Sequence, residues 1–296
     1  MVDILESREE TAGRLLRSSL AHSYDPDIHI DWSAPHEPDR FWMPAEQCSL
    51  FGTDIWTGMS RAQRIDLTKH EVANAAAAGV WFETVLIRML AREYYSMDPR
   101  TKHAQYALTE IADECRHSIM FGRLVEALGT PAYRASAKDQ VLGRILATTA
   151  RGAHMYAAIL IAEEILDAFQ RDIMADETLQ PLIRMVSRIH VVEEARHVRF
   201  ARNELARQVA ELNPAARAYA RLVIGRSAYA IANRLTHPGV YASVGLDPRA
   251  ARAAARHNPV FHATLRGAAA KVTAYLDACG LIAGPGRALW RASHLI

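Results

Sequence analysis

Cysteine is scarce: Cys48, Cys115 and Cys279 are the only three in 296 residues, and no two form a CxxC pair. An odd, unpaired set argues against a disulfide scaffold and suits a reducing, cytoplasmic setting. Long apolar runs are missing as well. The longest weakly polar stretch, Val72 to Phe82, is interrupted by Asn74 and too short to span a bilayer, and the opening "MVDILESREE" is acidic with no signal-peptide apolar region. Charge of one sign is not in excess. The 35 basic and 33 acidic residues leave a formal net charge of +2, so a nucleic-acid partner is not indicated. Alternating strand patterns are nearly absent, and there is no solenoid repeat, low-complexity tail or nucleotide-binding GxGxxG loop. What is present is a chain that is 50% hydrophobic and long enough to bury a substantial core. These features describe a soluble cytoplasmic protein with no membrane or nucleic-acid partner.

Helical signals dominate the rest. Residues 1–58 hold many of the prolines and tryptophans, as in "YDPDIHIDWSAPHEPDRFWMP", and little helical period; they predict an irregular arm packed on the surface. Ser60 and Gln63 make a capping box that opens a long helix to about Tyr95. Asp98-Pro99 offers a cap and a first-turn proline for a second helix, which stops near "LGTP" at 128–131. A third helix is expected from about Lys138 to Ala175. A fourth runs from about Thr178 to Leu212, with Pro181 in its first turn and Asn213-Pro214 closing it. Residues 214–296 read as three shorter helices. The expected architecture is all-α: a four-helix bundle over 59–296, with core helices in 60–212 and accessory helices in 214–296.

Two Glu-x-x-His tetrads occur in the chain, Glu114-Cys-Arg-His117 in the second helix and Glu194-Ala-Arg-His197 in the fourth. Either alone could be an exposed ion pair on a helix surface. Together they sit mid-helix on alternate helices, and the other two helices each offer a carboxylate: Glu83, flanked by Trp81, Phe82, Val85 and Leu86, and Glu163 or Glu164 in "ILIAEEILD". One Glu from each of two helices and one Glu-x-x-His from each of the others is the pattern of ferritin-like di-iron or di-manganese bundles. Four carboxylates cancel the charge of two divalent cations, suit hard metals and can bridge them, while each imidazole adds a neutral nitrogen. Cys115 lies one residue off the Glu114 face, which argues against an iron–sulfur or structural zinc site. The flat apolar pattern of the third helix does not decide between Glu163 and Glu164. Arg116 and Arg196, each just before a histidine, read as outer-face ion-pair residues.

His190 adds to this set. His190, Glu194 and His197 stand at offsets 0, 4 and 7, within about 60° on one helical face, so His190 is a seventh candidate ligand. The small stripe Ala75, Ala76 and Gly79 lies one to two turns before Glu83. With Tyr156, Ile159 and Leu160 of the third helix it makes up the candidate substrate pocket.

These residues resemble the AurF-type p-aminobenzoate N-oxygenases, non-haem di-iron enzymes of the ferritin-like class. The family's mark is an extra histidine one turn before the last Glu-x-x-His, and "HVVEEARH" matches it at His190, Glu194 and His197. Glu114, His117 and Glu83 match the earlier positions. The ungapped stretch from "AEEILD" through "TLQP" to "IHVVEEARH" implies Glu163, rather than Glu164, as the third-helix ligand. The resemblance covers about residues 50–212 well and the C-terminal helices loosely. Around Glu83 this chain has alanines where the arylamine enzyme has larger and polar residues. The resemblance implies two iron ions, O2 as co-substrate and an external electron donor, either a separate reductase or a small reductant. It implies oxidation of a small-molecule amine, aryl or alkyl, to hydroxylamine, nitroso or nitro product through a peroxo-diferric intermediate, with the metal ligands themselves as the catalytic residues. A homodimer is expected. Two other functions share the bundle. A di-iron C–H hydroxylase or desaturase would not need His190, and a ferritin-type iron-handling protein would assemble as a cage, which the proline-rich arm and extra C-terminal helices disfavour.

Overall fold

The computed structural model describes residues 7–296, so the first six residues of the expected arm lie outside the described residues. Among the described residues there is no strand, and none of the helices is long and apolar enough to cross a membrane. In chain order the helices are α1 (Arg8–Ala21), α2 (Pro26–His29), α3 (Asp54–Gly58), α4 (Arg61–Tyr94), α5 (Lys102–Ala127), α6 (Ala137–Thr149), α7 (Gly152–Ala175), α8 (Pro181–Ala210), α9 (Pro214–Ala232), α10 (Pro238–Ser243), α11 (Pro248–Arg256), α12 (Pro259–Ala278) and α13 (Gly286–Ala292). Helices α4 and α5 pack as one hairpin, α7 and α8 as another, and the two hairpins face each other as a ferritin-like bundle.

Local chemistry sets the helix ends. Ser60 Oγ accepts from Gln63 N at 3.2 Å while Gln63 Oε1 accepts from Ser60 N at 3.0 Å, the expected capping box of α4. Pro181 is the first residue of α8. Four boundaries differ from the sequence reading. The start of α5 is capped by Thr101, whose Oγ1 accepts from Ala104 N at 3.2 Å, and Asp98 instead forms a turn that its carboxylate ties to Arg100. Asn213 caps α9 instead of closing α8. Five helices, not three, follow residue 213.

The fourth difference is the expected third helix, which is two helices, α6 and α7. Gly152 breaks it with φ of +53°, a left-handed conformation that costs a residue with a Cβ about 1 kcal/mol or more. The carbonyls left open at the end of α6 are taken by Arg92, which donates to Ala147 O at 2.5 Å and to Ala150 O. This break lets α6 fold back over α4 while α7 enters the bundle.

The arm is also less irregular than expected. It opens with α1, whose Ser7–Glu10 capping box is complete, and which lies across α5 and α8. Arg8 forks onto Glu204 at 3.1 and 2.6 Å, and Glu9 accepts from the Lys102 and His103 amides at the open start of α5. Its buried residues are Thr11, Ala12, Leu15 and Ser19, with one large apolar side chain among them, so little apolar period marks it in the sequence.

Helix α7 is buried on every side from Met155 to Ile165, because α9 and α12 cover the face that a bare four-helix bundle would expose. Two apolar clusters fill the bundle. One joins Leu86, Leu90, Tyr106, Leu160 and Phe200; the other joins Leu67, Val72, Met120, Leu124 and Ile189. The polar layer described next sits where they meet.

Candidate metal centre

All seven residues singled out as candidate ligands converge. Glu83 from α4, Glu114 and His117 from α5, Glu163 from α7, and His190, Glu194 and His197 from α8 are each at most 3% exposed. Three overlapping groups have ligand atoms within 4.8 Å of one another: Glu114, His117, Glu194 and His197; Glu83, His117 and His190; and Glu163, His190 and Glu194. Glu164 turns the other way and forks onto Arg202, with Nε to Oε1 at 2.8 Å. Because α7 is apolar all round, that choice rested on tertiary packing, not on periodicity.

The imidazoles are held from behind. His117 Nε2 meets Glu193 Oε2 at 2.9 Å, leaving Nδ1 toward Glu114 Oε2 at 3.1 Å. His197 Nε2 meets Asp113 Oδ2 at 3.2 Å, leaving Nδ1 3.0 Å from oxygens of both Glu194 and Glu114. A carboxylate on the far nitrogen fixes the tautomer and makes the near nitrogen a better donor to a metal. The pairing is crossed: the acid preceding Glu114 supports the histidine of α8, and the acid preceding Glu194 supports the histidine of α5. Sequence reasoning missed both supports. The available signal was the repeated pattern acid-Glu-x-Arg-His, "DECRH" and "EEARH". Its arginines share the network. Arg116 pairs with Asp113 as expected, at the rim, but Arg196 is only 5% exposed and reaches Asp113 at 3.4 Å and the His22 carbonyl at 3.0 Å. Arg196 is therefore no outer-face residue; α1 and the turn after it cover it.

His190 is oriented differently. Its Nδ1 donates to Gln170 Oε1 at 2.6 Å, so the lone pair of Nε2 points at Glu83 Oε1, 3.6 Å away, and Glu194 Oε2, 4.0 Å away. His190 Nε2, Glu83 Oε2 and Glu194 Oε1 are buried without a hydrogen-bond partner. Orphaned polar atoms of this kind are costly unless something binds them.

The electrostatics match. Burial, then the neighbouring carboxylates, raises the Glu83 and Glu163 carboxyls well above their ordinary range. Burial would push His117 down, but its bonds to Glu114 and Glu193 hold it at about 9; His197 is raised against burial by Glu194 and Glu114. Burial, then the charge on His117, holds His190 well below the usual imidazole range. Without metal the cluster thus stores protons, and two divalent cations would replace them: four carboxylates balance four positive charges, and the orphaned atoms become ligands. The residues present fit a two-metal group. A further carboxyl, Glu110, lies one turn before Glu114, and burial raises it well above the ordinary carboxyl range. No sequence motif marked it.

The structure separates the residues expected at the substrate pocket. A cavity beside the cluster is lined by Ala75 and Ala76. Gly79 does not reach it, because the Phe121 ring fills the space a Cβ would need, 3.0 Å from that position. Tyr156 bonds Tyr94 hydroxyl to hydroxyl at 2.8 Å in the apolar cluster, and Ile159 and Leu160 are buried in the same cluster. These three lie on the part of α7 that packs against neighbouring helices, away from the cavity. The cavity's cluster-side end is formed by Gln170 and by Phe121, whose ring centroid is 4.9 Å from that of His190.

The family model described as P-aminobenzoate N-oxygenase AurF matches residues 6–280. Uncharacterized proteins of Mycobacterium bovis (strain ATCC BAA-935 / AF2122/97) and Mycobacterium tuberculosis (strain ATCC 25618 / H37Rv) are each 25% identical over 246 residues, covering 80% of this chain and 72% of theirs. Among solved structures, a variant of R2-like ligand-binding oxidase with an aerobically reconstituted Mn/Fe cofactor is similar at a TM-score of 0.47 and 12% identity, over 99% of this chain and 92% of that one. A second variant of that oxidase, with an anaerobically reconstituted Mn/Fe cofactor, is similar at 0.48 and 13%, over 99% and 93%.

Proposed function

For a chain that belongs to the P-aminobenzoate N-oxygenase AurF family, and is thus an oxidase with a metal cofactor, we propose an O2-dependent di-iron N-oxygenase acting on a small-molecule amine. The observation that carries this reading is His190. An ordinary bundle site is complete with four carboxylates and two histidines, yet here a third imidazole is pinned by Gln170 so that its free nitrogen faces Glu83 and Glu194. Glu83, Glu114, His117, Glu163, His190, Glu194 and His197 would hold two irons, and the bound pair would supply O2 activation and oxygen transfer to nitrogen.

The chain's own groups do the rest. Glu193 and Asp113 keep the Nδ1 atoms of His117 and His197 pointed inward. The apolar clusters on both sides exclude bulk water from the polar layer. Electrons come from a separate reductase or a small reductant, since the chain has no nucleotide-binding signature.

The test is anaerobic loading with Fe(II), then O2, a reductant and a panel of amines, with metal content by elemental analysis and products by mass spectrometry. Two irons per chain and oxygen added at nitrogen are expected. About one metal per chain defeats the di-iron assignment, and oxygen found only on carbon moves the protein to the hydroxylase class. His190→Ala should keep a folded bundle with metal and lose most N-oxygenation. Unchanged oxidation with lowered stability would make His190 a core histidine.

A further inference from the structure

The cavity's polar groups bear on which amine it accepts. Its walls are apolar, and among the described residues no Lys, Arg or His lines it. The one ionisable lining group is acidic. Glu71 is 4% exposed and is held by Ser49, whose amide donates to Oε2 at 3.0 Å and whose hydroxyl donates to Oε1; Tyr241 meets that hydroxyl at 2.8 Å. No cation is part of this arrangement. Beside it Gln47 also lines the cavity. Its Nε2 donates to Asp172 Oδ2 at 3.0 Å, while its Oε1 is buried without a partner. The Glu71 end therefore offers a carboxylate, a second carboxylate behind Gln47, and an open acceptor.

Toward the metal layer the lining includes Gln170, which holds His190, and Ser187, whose hydroxyl is buried and unpartnered. Glu71 and Glu83 are both on α4, twelve residues or about 18 Å apart along the helix.

We infer that this cavity selects amines whose remote end is uncharged and donates a hydrogen bond, and that Glu71 with Gln47 sets that selection against amino-carboxylates. The inference rests on the N-oxygenase reading for one point only, that the amine faces the metal layer; the remote substituent then faces Glu71. An anion there enters apolar walls with no cation to pair with, next to an existing carboxylate, and both terms oppose it. Nor does the metal layer attract it, since four carboxylates balance two divalent cations. An amide or hydroxyl at the same place loses neither term and gives Gln47 Oε1 its missing donor.

A matched pair tests this. 4′-Aminobiphenyl-4-carboxamide and 4′-aminobiphenyl-4-carboxylate share rings, amine and size, differ in remote charge, and have the length that the spacing of Glu71 from Glu83 requires. Dissociation constants are measured by calorimetry on the iron-loaded, anaerobic protein, buffered above the Glu71 value of about 7 so that its carboxyl is ionised, and oxygenated products are followed separately by mass spectrometry. The carboxamide should bind tighter by roughly 100-fold. Glu71→Gln should narrow that ratio by about 10-fold, and Ala75→Lys, which places a cation on the wall, should reverse it. Equal or tighter binding of the carboxylate to the unaltered protein overturns the selection, as does no binding of the carboxamide. The two readings fail separately. The expected ratio with no oxygen on nitrogen defeats the N-oxygenase reading alone, whereas tighter binding and N-oxygenation of the carboxylate defeat the selection alone.

Discussion

Gln170 shows how one neutral side chain governs a charged site. Its carbonyl oxygen accepts a hydrogen bond from His190 Nδ1 at 2.6 Å, which leaves the lone pair on the nitrogen that faces the carboxylates. Gln170→Leu should leave the helices intact and lower metal affinity by about 10- to 100-fold, the usual effect of losing an outer support. Competition against a chelator of known affinity measures it, and unchanged affinity would remove His190 from the ligand set. Glu71 makes a different prediction. Burial raises its carboxyl from 4.5 to about 7, against the bonds from Ser49. Between those values the folded chain keeps a proton that the unfolded chain has lost. Its contribution is thus fully present below about pH 4.5 and lost as pH rises to about 7, a fall of about 3 kcal/mol. Glu71→Gln should flatten that part of the stability–pH curve in denaturant titrations. A curve as steep as the parent's would place the slope elsewhere.

At the scale of elements, the break between α6 and α7 lets a chain with one long helical pattern build both a crossover and a core helix. Gly152 has φ of +53°, and a Cβ there would lie 2.8 Å from Gln208 Oε1, the end of a movable side chain. Gly152→Ala should therefore cost about 1–2 kcal/mol, mostly from the backbone, and lower the melting temperature without changing metal content. If α6 and α7 instead fused into one helix, α6 would leave α4 and the loss would be far larger. Circular dichroism during thermal unfolding separates the two outcomes. The docking of α1 belongs to this scale too. Its polar contacts with Glu204 and the start of α5 close the bundle over Arg196, so the arm is part of the site's wall.

For the whole molecule, the polar layer between two apolar clusters couples metal to folding. Glu83, Glu163, His117 and His197 all have raised affinities for protons before metal enters. Metal binding must displace those protons, so affinity should rise with pH and loading should acidify a weakly buffered solution. Loading should also raise the melting temperature, since a ligand that binds only the folded state stabilises it by mass action. Metal uptake with no proton release would show that the cluster is ionised before metal arrives.

The sequence by itself determined the helical class, the capping box of α4, the first turn of α8 and six of the seven clustered residues, because Glu-x-x-His spacing and apolar flanks are local properties of one helix. It left Glu163 and Glu164 undecided without the family resemblance, since α7 is buried on every face and carries no periodic contrast. Only the tertiary structure decided the crossed supports from Asp113 and Glu193, the burial of Arg196 under the first helix, and the place of Gln170 behind His190. It also moved the cavity away from Tyr156, Ile159 and Leu160, and let Phe121 take the space beside Gly79. Each of these depends on which faces of separate helices meet, and that is settled by packing between segments distant in the chain, where no local spacing rule reaches.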